Sequence, residues 1–328
     1  MNLFGIPAKA RLPAISRDPA RMLLRPILRP VDVYLSRKRA SDAVRHNVGL
    51  GAVIEYTISE LLDRPRYLYG VYEYVYASAF IGQITPGSFV IDAGANIGEY
   101  TLLAAYSTGP RGRVLAVEPN VALHPRLLRT LEINGISNVQ VLAAALGSSE
   151  TRGTLTVPPG AAALGTLRAT TGTGEEGTAL AVSIRRLDDV LTNEDRRRLS
   201  VVKADVEGWE LEVFRGAHET LMDAKPVIFY ECGSEEFEAI GERQVTPSMS
   251  FLEGLGYRNH TIKMERDGAW ELRPVEARPD PRTEREPWSV LMMVAAHPES
   301  PHHAKMQGHS PLPRCGLLEL LGRSRRPT

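Results

Sequence analysis

Four apolar runs in this sequence each close on a carboxylate. Phe89-Val90-Ile91 ends on Asp92, Val114-Leu115-Ala116-Val117 on Glu118, Val201-Val202-Lys203-Ala204 on Asp205, and Val227-Ile228-Phe229-Tyr230 on Glu231. A carboxylate can take a hydroxyl proton, accept both hydroxyls of a ribose, or face a cation. These four act together only if the runs are strands of one sheet, because open α/β sheets bind ligands beyond the carboxyl ends of their strands. Directly after Asp92 comes Ala93-Gly94-Ala95-Asn96-Ile97-Gly98, then the helix-like run from Tyr100 to Ala105. Gly94 allows a tight turn and close backbone approach to a ligand, and Gly98 lets the helix pack near the strand. The G-x-x-x-G spacing is one step from the G-x-G-x-x-G of a pyrophosphate cradle.

The same residues discriminate between nucleotides. Glu118 ends the second strand, where an acid can hold a ribose, the alternative being a solvated strand-end carboxylate. Arg111 and Arg113 lie beyond the first helix, so the glycine turn has no basic residue to meet a phosphate. A phosphate-free cofactor suits this turn, and S-adenosylmethionine, with its sulfonium-bearing zwitterionic tail, is such a cofactor. Asp92 and Asp205 are candidates for its ammonium or sulfonium region, and Asn96 for the turn beside its carboxylate. Pro119 and Asn120 follow Glu118 at the ribose edge, with His124 as a helix-start residue near the adenosine. Ala143 and Ala144 end the third strand and either flank the adenine or simply pack.

The elements that must position these residues alternate along the chain. Strands are expected at Asp92, Glu118, 139–143, Asp205 and Glu231, with helices over 125–133, 187–191, 210–222 and 248–255 between or after them. Strands over 257–264 and 289–296 have no clear helix between them and fit an antiparallel pair at the sheet edge. Nearly continuous apolar strands alternating with helices mean a doubly wound, mostly parallel seven-stranded α/β sheet buried on both faces. Upstream, Val53 to Ile58 alternates like a strand, and a helix through Phe80-Ile81 leads to the turn Thr85-Pro86-Gly87. Tyr67, Tyr69, Tyr72, Tyr74 and Tyr76 read as core with wet hydroxyl tips or as a face against a ligand. Leu155 to Val157 reads as a short edge. Residues 158–178 are Gly-, Ala- and Thr-rich without a period, which suits a lid or a disordered loop.

Of 328 residues, 43% are hydrophobic and 24% charged, with zero formal net charge. Such a chain has ample material for a core, and no global charge points to nucleic acid. Residues 1–48 are rich in Arg and Pro and read as a basic extension, and residues 298–328 as a disordered His/Pro-rich tail. Cys232 and Cys315 are too few for a disulfide framework. No apolar run reaches the length of a membrane span. These features suit a cytoplasmic protein.

The segment Lys203-Ala204-Asp205-Val206-Glu207-Gly208-Trp209-Glu210 is the second distinctive stretch. With Val90-Ile91-Asp92-Ala93-Gly94-Ala95-Asn96-Ile97-Gly98, Glu118-Pro119, Gly70-x-Tyr72-Glu73 and Gly216-Ala217, it resembles the FkbM family of S-adenosylmethionine-dependent methyltransferases. The resemblance covers residues 67–296 and implies a class I, Rossmann-like methyltransferase domain within 49–297. It also implies O-methylation of a sugar, glycoside or polyketide-type hydroxyl. The Asp205-Val206-Glu207-Gly208 turn agrees, since nucleic-acid amino-methylation would call for an Asn/Asp-Pro-Pro-aromatic turn there. A hydroxyl needs a base, so Glu207 or Asp205 is the candidate, with Glu73 a further acid near the substrate. Glu207 could instead orient the turn through backbone N–H groups, and Lys203 belongs inside the sheet paired with an acid. Asp205, Glu207 and Glu231 could hold Mg²⁺, but no ligand spacing demands a metal. The competing readings are a nicotinamide-dependent oxidoreductase and a non-catalytic cofactor-binding relative.

Overall fold

The computed structural model describes residues 43–57, 63, 73–158, 161–168, 177–233, 238–240, 243–264, 268–275, 290–302 and 304–312. In chain order these form β1 (Ala43–Gly49), β2 (Ala52–Thr57), α1 (Tyr74–Gln83), β3 (Phe89–Ala93), α2 (Glu99–Thr108), β4 (Arg113–Val117), α3 (His124–Ile133) and β5 (Val139–Leu142). There follow β6 (Ala145–Leu146), β7 (Thr151–Val157), β8 (Thr178–Arg185), α4 (Leu187–Val190), α5 (Asn193–Arg198) and β9 (Leu199–Ala204). The last third comprises α6 (Glu210–Arg215), α7 (His218–Ala224), β10 (Val227–Gly233), β11 (Glu238–Ile240), β12 (Arg243–Val245), α8 (Pro247–Gly254), β13 (Arg258–Met264), β14 (Ala269–Pro274), β15 (Val290–Ala296) and β16 (Gln307–His309).

One nine-stranded sheet dominates, in the order β16-β14-β13-β15-β10-β9-β3-β4-β5. The five strands from β10 to β5 pair in parallel. Beyond β10 every pairing is antiparallel. The strand order reverses between β3 and β9, which opens a crevice at their carboxyl ends. The seven anticipated strands are all present, and the pair 257–264 and 289–296 is antiparallel as expected. Two further strands, β14 and β16, extend that edge.

Each central strand buries both faces, so its residues sort by parity. Val90, Val114, Val201 and Phe229 pack with Phe80, Leu102 and Leu103 from α1 and α2. Phe89, Ile91, Leu115, Val202 and Ile228 face Phe214, Leu221 and Leu252 from α6, α7 and α8. Phe80 lies edge-on to Tyr100 at 5.2 Å and to Phe229 at 5.5 Å, which fixes α1 against α2 and the sheet. Tyr74 and Tyr76 belong to this core. Tyr67, Tyr69 and Tyr72 fall outside the described residues.

Four boundaries differ from the sequence reading. The basic extension ends earlier, because β1 pairs with β2 from Ala43 onward, and Asn134 clasps the hairpin through Val53 N (2.8 Å) and Val53 O (2.7 Å). The expected helix over 210–222 is two helices, because Gly216 lies against the Gly147 carbonyl and turns the chain there. The short edge expected over 155–157 is longer: β7 starts at Thr151 and pairs along its whole length with β8, which begins where the long loop ends, in a separate sheet, β6-β8-β7. Residues 304–312 are structured and not a tail, since β16 pairs with β14 and Leu312 is buried in the core. Trp270 drives that addition, its indole lying in the space that Gly82 and Gly308 leave open.

Candidate functional site

The glycine turn after β3 is shaped by the protein's own backbone. Gly94 has φ 81°, and a Cβ there would overlap the carbonyl oxygen of Asp205. Its missing side chain thus admits the neighbouring strand end rather than a ligand. A Cβ on Gly98 would strike Leu127, so that glycine makes room for α3 and not for the strand. The amides of Gly94 and Ala95 both donate to Val117 O, at 2.9 and 3.0 Å. Asn96, itself left-handed at φ 51°, donates its amide to Glu118 Oε2 at 2.8 Å. Three consecutive N–H groups are therefore engaged, and one of them holds an anion. A turn built this way offers a pyrophosphate little, in agreement with a phosphate-free ligand.

Glu118 sits at the centre of this edge. Its other oxygen accepts from Asn120 N at 2.7 Å, so one backbone amide anchors each oxygen and lone pairs remain for a diol. Burial raises its carboxyl above the usual range, against the two backbone hydrogen bonds that lower it. His124 opens α3 with Nε2 2.8 Å from Glu118 O, while Asn120 is buried and Pro119 half-buried beside it. Of the adenine candidates, Ala143 is exposed and Ala144 buried just after β5.

Asp92 is not at the crevice surface. It is 0% exposed, accepts from Thr101 Oγ1 at 2.6 Å, and lies 3.6 Å from Lys203 Nζ. In the β3–β9 pairing Asp92 stands directly opposite Lys203, so the ion pair is a cross-strand pair turned into the protein. Of the two candidates for a ligand's ammonium or sulfonium region, Asp92 is thus the one that is buried, engaged by Thr101 and Lys203. Lys203 is buried, donates to Asp205 Oδ2 at 3.0 Å, and sits 4.7 Å from the Tyr100 ring centre. Burial alone would lower its pKa, but Asp205 and Asp92 outweigh that and raise it. The pairing of this lysine inside the sheet follows the sequence reading.

Past β9 the chain turns through Asp205, Glu207 and Gly208. Asp205 N donates to Ala93 O at 3.1 Å, which locks the two strand ends together. Carboxylate oxygens of Asp205, Glu207 and Glu231 lie within 4.8 Å of one another. Burial first, then the charges of Asp205 and Glu210, push the Glu207 carboxyl up to about 8. Glu231 is raised well above its ordinary range by burial and by Asp205 and Glu207. Glu73 contributes to both shifts, and its Oε2 accepts from Tyr100 OH at 3.1 Å. The expected acids therefore converge. Three oxygen donors so placed could take up a divalent cation, and a proton on Glu207 meets the same electrostatic need.

Sequence reasoning missed what holds this turn. Glu210, 1% exposed, reaches back with Oε1 to Val206 N at 3.0 Å and Gly208 N at 3.4 Å. The orienting role assigned to Glu207 as an alternative is thus performed by Glu210. An acid at the first helical position just after a glycine turn is the sequence signal for such a reach-back. The Glu207 side chain itself makes no hydrogen bond among the described residues.

A family profile described as "Methyltransferase FkbM domain" matches residues 92–259, which run from the buried aspartate through the carboxylate turn to β13. "Methyltransferase 1" of Beauveria bassiana (strain ARSEF 2860) is 32% identical to the matched part, which spans 39% of this chain and 58% of that protein. "Methyltransferase sdnD" of Sordaria araneosa is also 32% identical, over 42% of this chain and 64% of its own length. The chain thus spans about six tenths of these two relatives. Among solved structures, the methyltransferase FkbM from Methylobacillus flagellatus KT aligns at 17% identity and a TM-score of 0.38. That alignment covers 65% of this chain and 44% of the other.

Proposed function

Because this chain belongs to the FkbM methyltransferase family, we propose that it is an S-adenosylmethionine-dependent O-methyltransferase with Glu207 as the general base. The observation that carries this reading is the division of labour at the turn. Glu210 holds the backbone on both sides of Glu207, whose carboxylate stands in a half-buried acid cluster that raises it to about 8. A base is most effective when its pKa lies near the working pH. Asp205 is the weaker candidate, since one of its oxygens is bonded to Lys203.

Residues of the crevice suit the cofactor. Glu118 would hold the ribose diol, Asn120 and Pro119 would flank it, and Gly94, Ala95, Asn96 and Gly98 would shape the wall beside the methionine portion. Asp205, paired with Lys203 at the end of β9, would face the ammonium group. When bound, S-adenosylmethionine supplies an electrophilic methyl group. Glu207 would take the acceptor's hydroxyl proton as that oxygen gains the methyl group and the methyl's bond to sulfur breaks, so that the product oxygen and the departing thioether are both uncharged. The charges of Asp205, Glu210 and Glu73 raise the affinity of Glu207 for that proton, so the ionised carboxylate is a stronger base than an exposed one. The rest of the acceleration is alignment of oxygen and methyl group.

We assign the acceptor to the sugar, glycoside or polyketide class, a neutral hydroxyl compound and not a nucleic acid, and place the protein in the cytoplasm. Among the described residues no helix is long and apolar enough to cross a membrane. Calorimetry with S-adenosylhomocysteine and with NAD separates this reading from a nicotinamide enzyme. Mass spectrometry of metabolites from cells with and without the protein tests the transfer. A product heavier by one methylene unit is expected, and tight NAD binding without S-adenosylhomocysteine binding would overturn the proposal.

A further inference from the structure

Glu207 adopts φ 55° and Gly208 φ 88°, two left-handed residues in succession. For a non-glycine residue this conformation costs about 1 kcal/mol or more, so something must hold it. Glu210 binds the amides on either side. The carbonyl between them is bound from a distant part of the chain: Thr166 Oγ1 donates to Glu207 O at 2.8 Å. That hydroxyl accepts from Arg168 N at 3.1 Å, so its single proton is directed at the Glu207 carbonyl.

Thr166 is itself firmly placed. Its backbone pairs with Thr156 in both directions, at 2.9 and 3.1 Å. Thr156 belongs to β7, which is bonded along its length to β8. Leu167 packs into the cluster of Leu155, Val157 and Val182 beneath. At the other end of the same segment, Ala162 O accepts from Asn120 Nδ2 at 3.1 Å, next to Glu118. Residues 161–168 therefore strap the acidic turn to the Glu118 edge, and the small sheet is the frame from which the strap is hung.

We propose that Thr166 is a positioning residue for Glu207, its hydroxyl fixing the left-handed turn that aims the carboxylate into the acid cluster. This rests on the reading of Glu207 as the base, and the experiment separates the two. The Glu207 carboxyl would be followed by ¹³C NMR titration in the full chain, with Glu207→Gln identifying its signal. Affinity for S-adenosylhomocysteine would be measured by calorimetry in parallel. Thr166→Val keeps the shape and removes the donor, and Thr166→Ala does so with less bulk should the valine variant fail to fold. In either, the signal is expected to titrate lower by on the order of one pH unit as the carboxylate relaxes out of the cluster. S-adenosylhomocysteine affinity is expected to stay within about twofold, and Thr166→Ser to restore the wild-type midpoint. An unchanged midpoint in the valine or alanine variant overturns the positioning role, as does a serine variant that behaves like valine. A Glu207→Gln protein with wild-type turnover overturns the base instead, whatever Thr166 does.

Discussion

At the scale of single residues, the site works by giving each carboxylate a different neighbour. Asp92 is bound to Thr101 and Lys203, Asp205 to Lys203, Glu118 to two backbone amides, and Glu73 to Tyr100. Glu207 is left with charge on several sides and a carboxyl raised to about 8. Activity should therefore rise with pH through the region near 8, where the acid group containing Glu207 loses a proton, measured as kcat/KM for the acceptor. Glu207→Gln should lower kcat by about 10² or more and abolish that rise, while S-adenosylhomocysteine affinity barely changes. Lys203 gives the opposite kind of prediction. Removing its charge leaves Asp92 buried without a countercharge, so Lys203→Met should cost about 3–5 kcal/mol in denaturant unfolding. A small loss would mean that Asp92 is held by Thr101 alone.

At the scale of elements, what was legible in the sequence followed from repetition. Strands β3, β4, β9 and β10 each show an apolar run closed by an acid, and the parity of Phe89, Val90 and Ile91 already describes a strand buried on both faces. The illegible elements lack that signal. β8 alternates small and exposed residues and so carries no strand signal after the aperiodic loop, and β16 is a three-residue strand defined by its partner β14. Glu210 did carry a signal, an acid opening a helix after a glycine turn, but which amides it reaches, those of Val206 and Gly208, is visible only once the turn is folded. Gly94 was legible as a glycine but not in its purpose, because the atom it makes room for comes from a strand more than a hundred residues later. Gly94→Ala should accordingly part β3 from β9 at their ends, lowering cofactor affinity together with Tm. Loss of affinity with an unaltered Tm would mean that the glycine serves the ligand directly. The β16 edge tests separately. Ending the chain before residue 304 exposes Trp270 and deletes Leu312, and thermal unfolding should shift down by several degrees.

At the scale of the whole molecule, gathering acids at one edge of the sheet sets the pH dependence of folding. Glu207 and Glu231 both have folded pKa values above those of an unfolded chain, as does Glu118. Between the ordinary carboxylate value and the raised ones, the native state holds protons that the unfolded state has released. Stability contributed by these groups is thus complete below the unfolded value and falls as pH rises through the folded one. Two buried or crowded histidines act in the other direction: burial lowers His260 and His297, so acidification below about 6.5 destabilises the fold. Lys203, raised above its ordinary value, loses its contribution only in strong alkali. The carboxylate effect should therefore be seen cleanly between about pH 7 and 9, where Tm is expected to decline. The acids titrate as a group, so Glu207→Gln and Glu231→Gln should each flatten part of that decline and raise Tm at pH 9. A Tm profile flat from 7 to 9 in the wild-type protein would mean that the cluster is open to water, and the case for a buried base would fall with it.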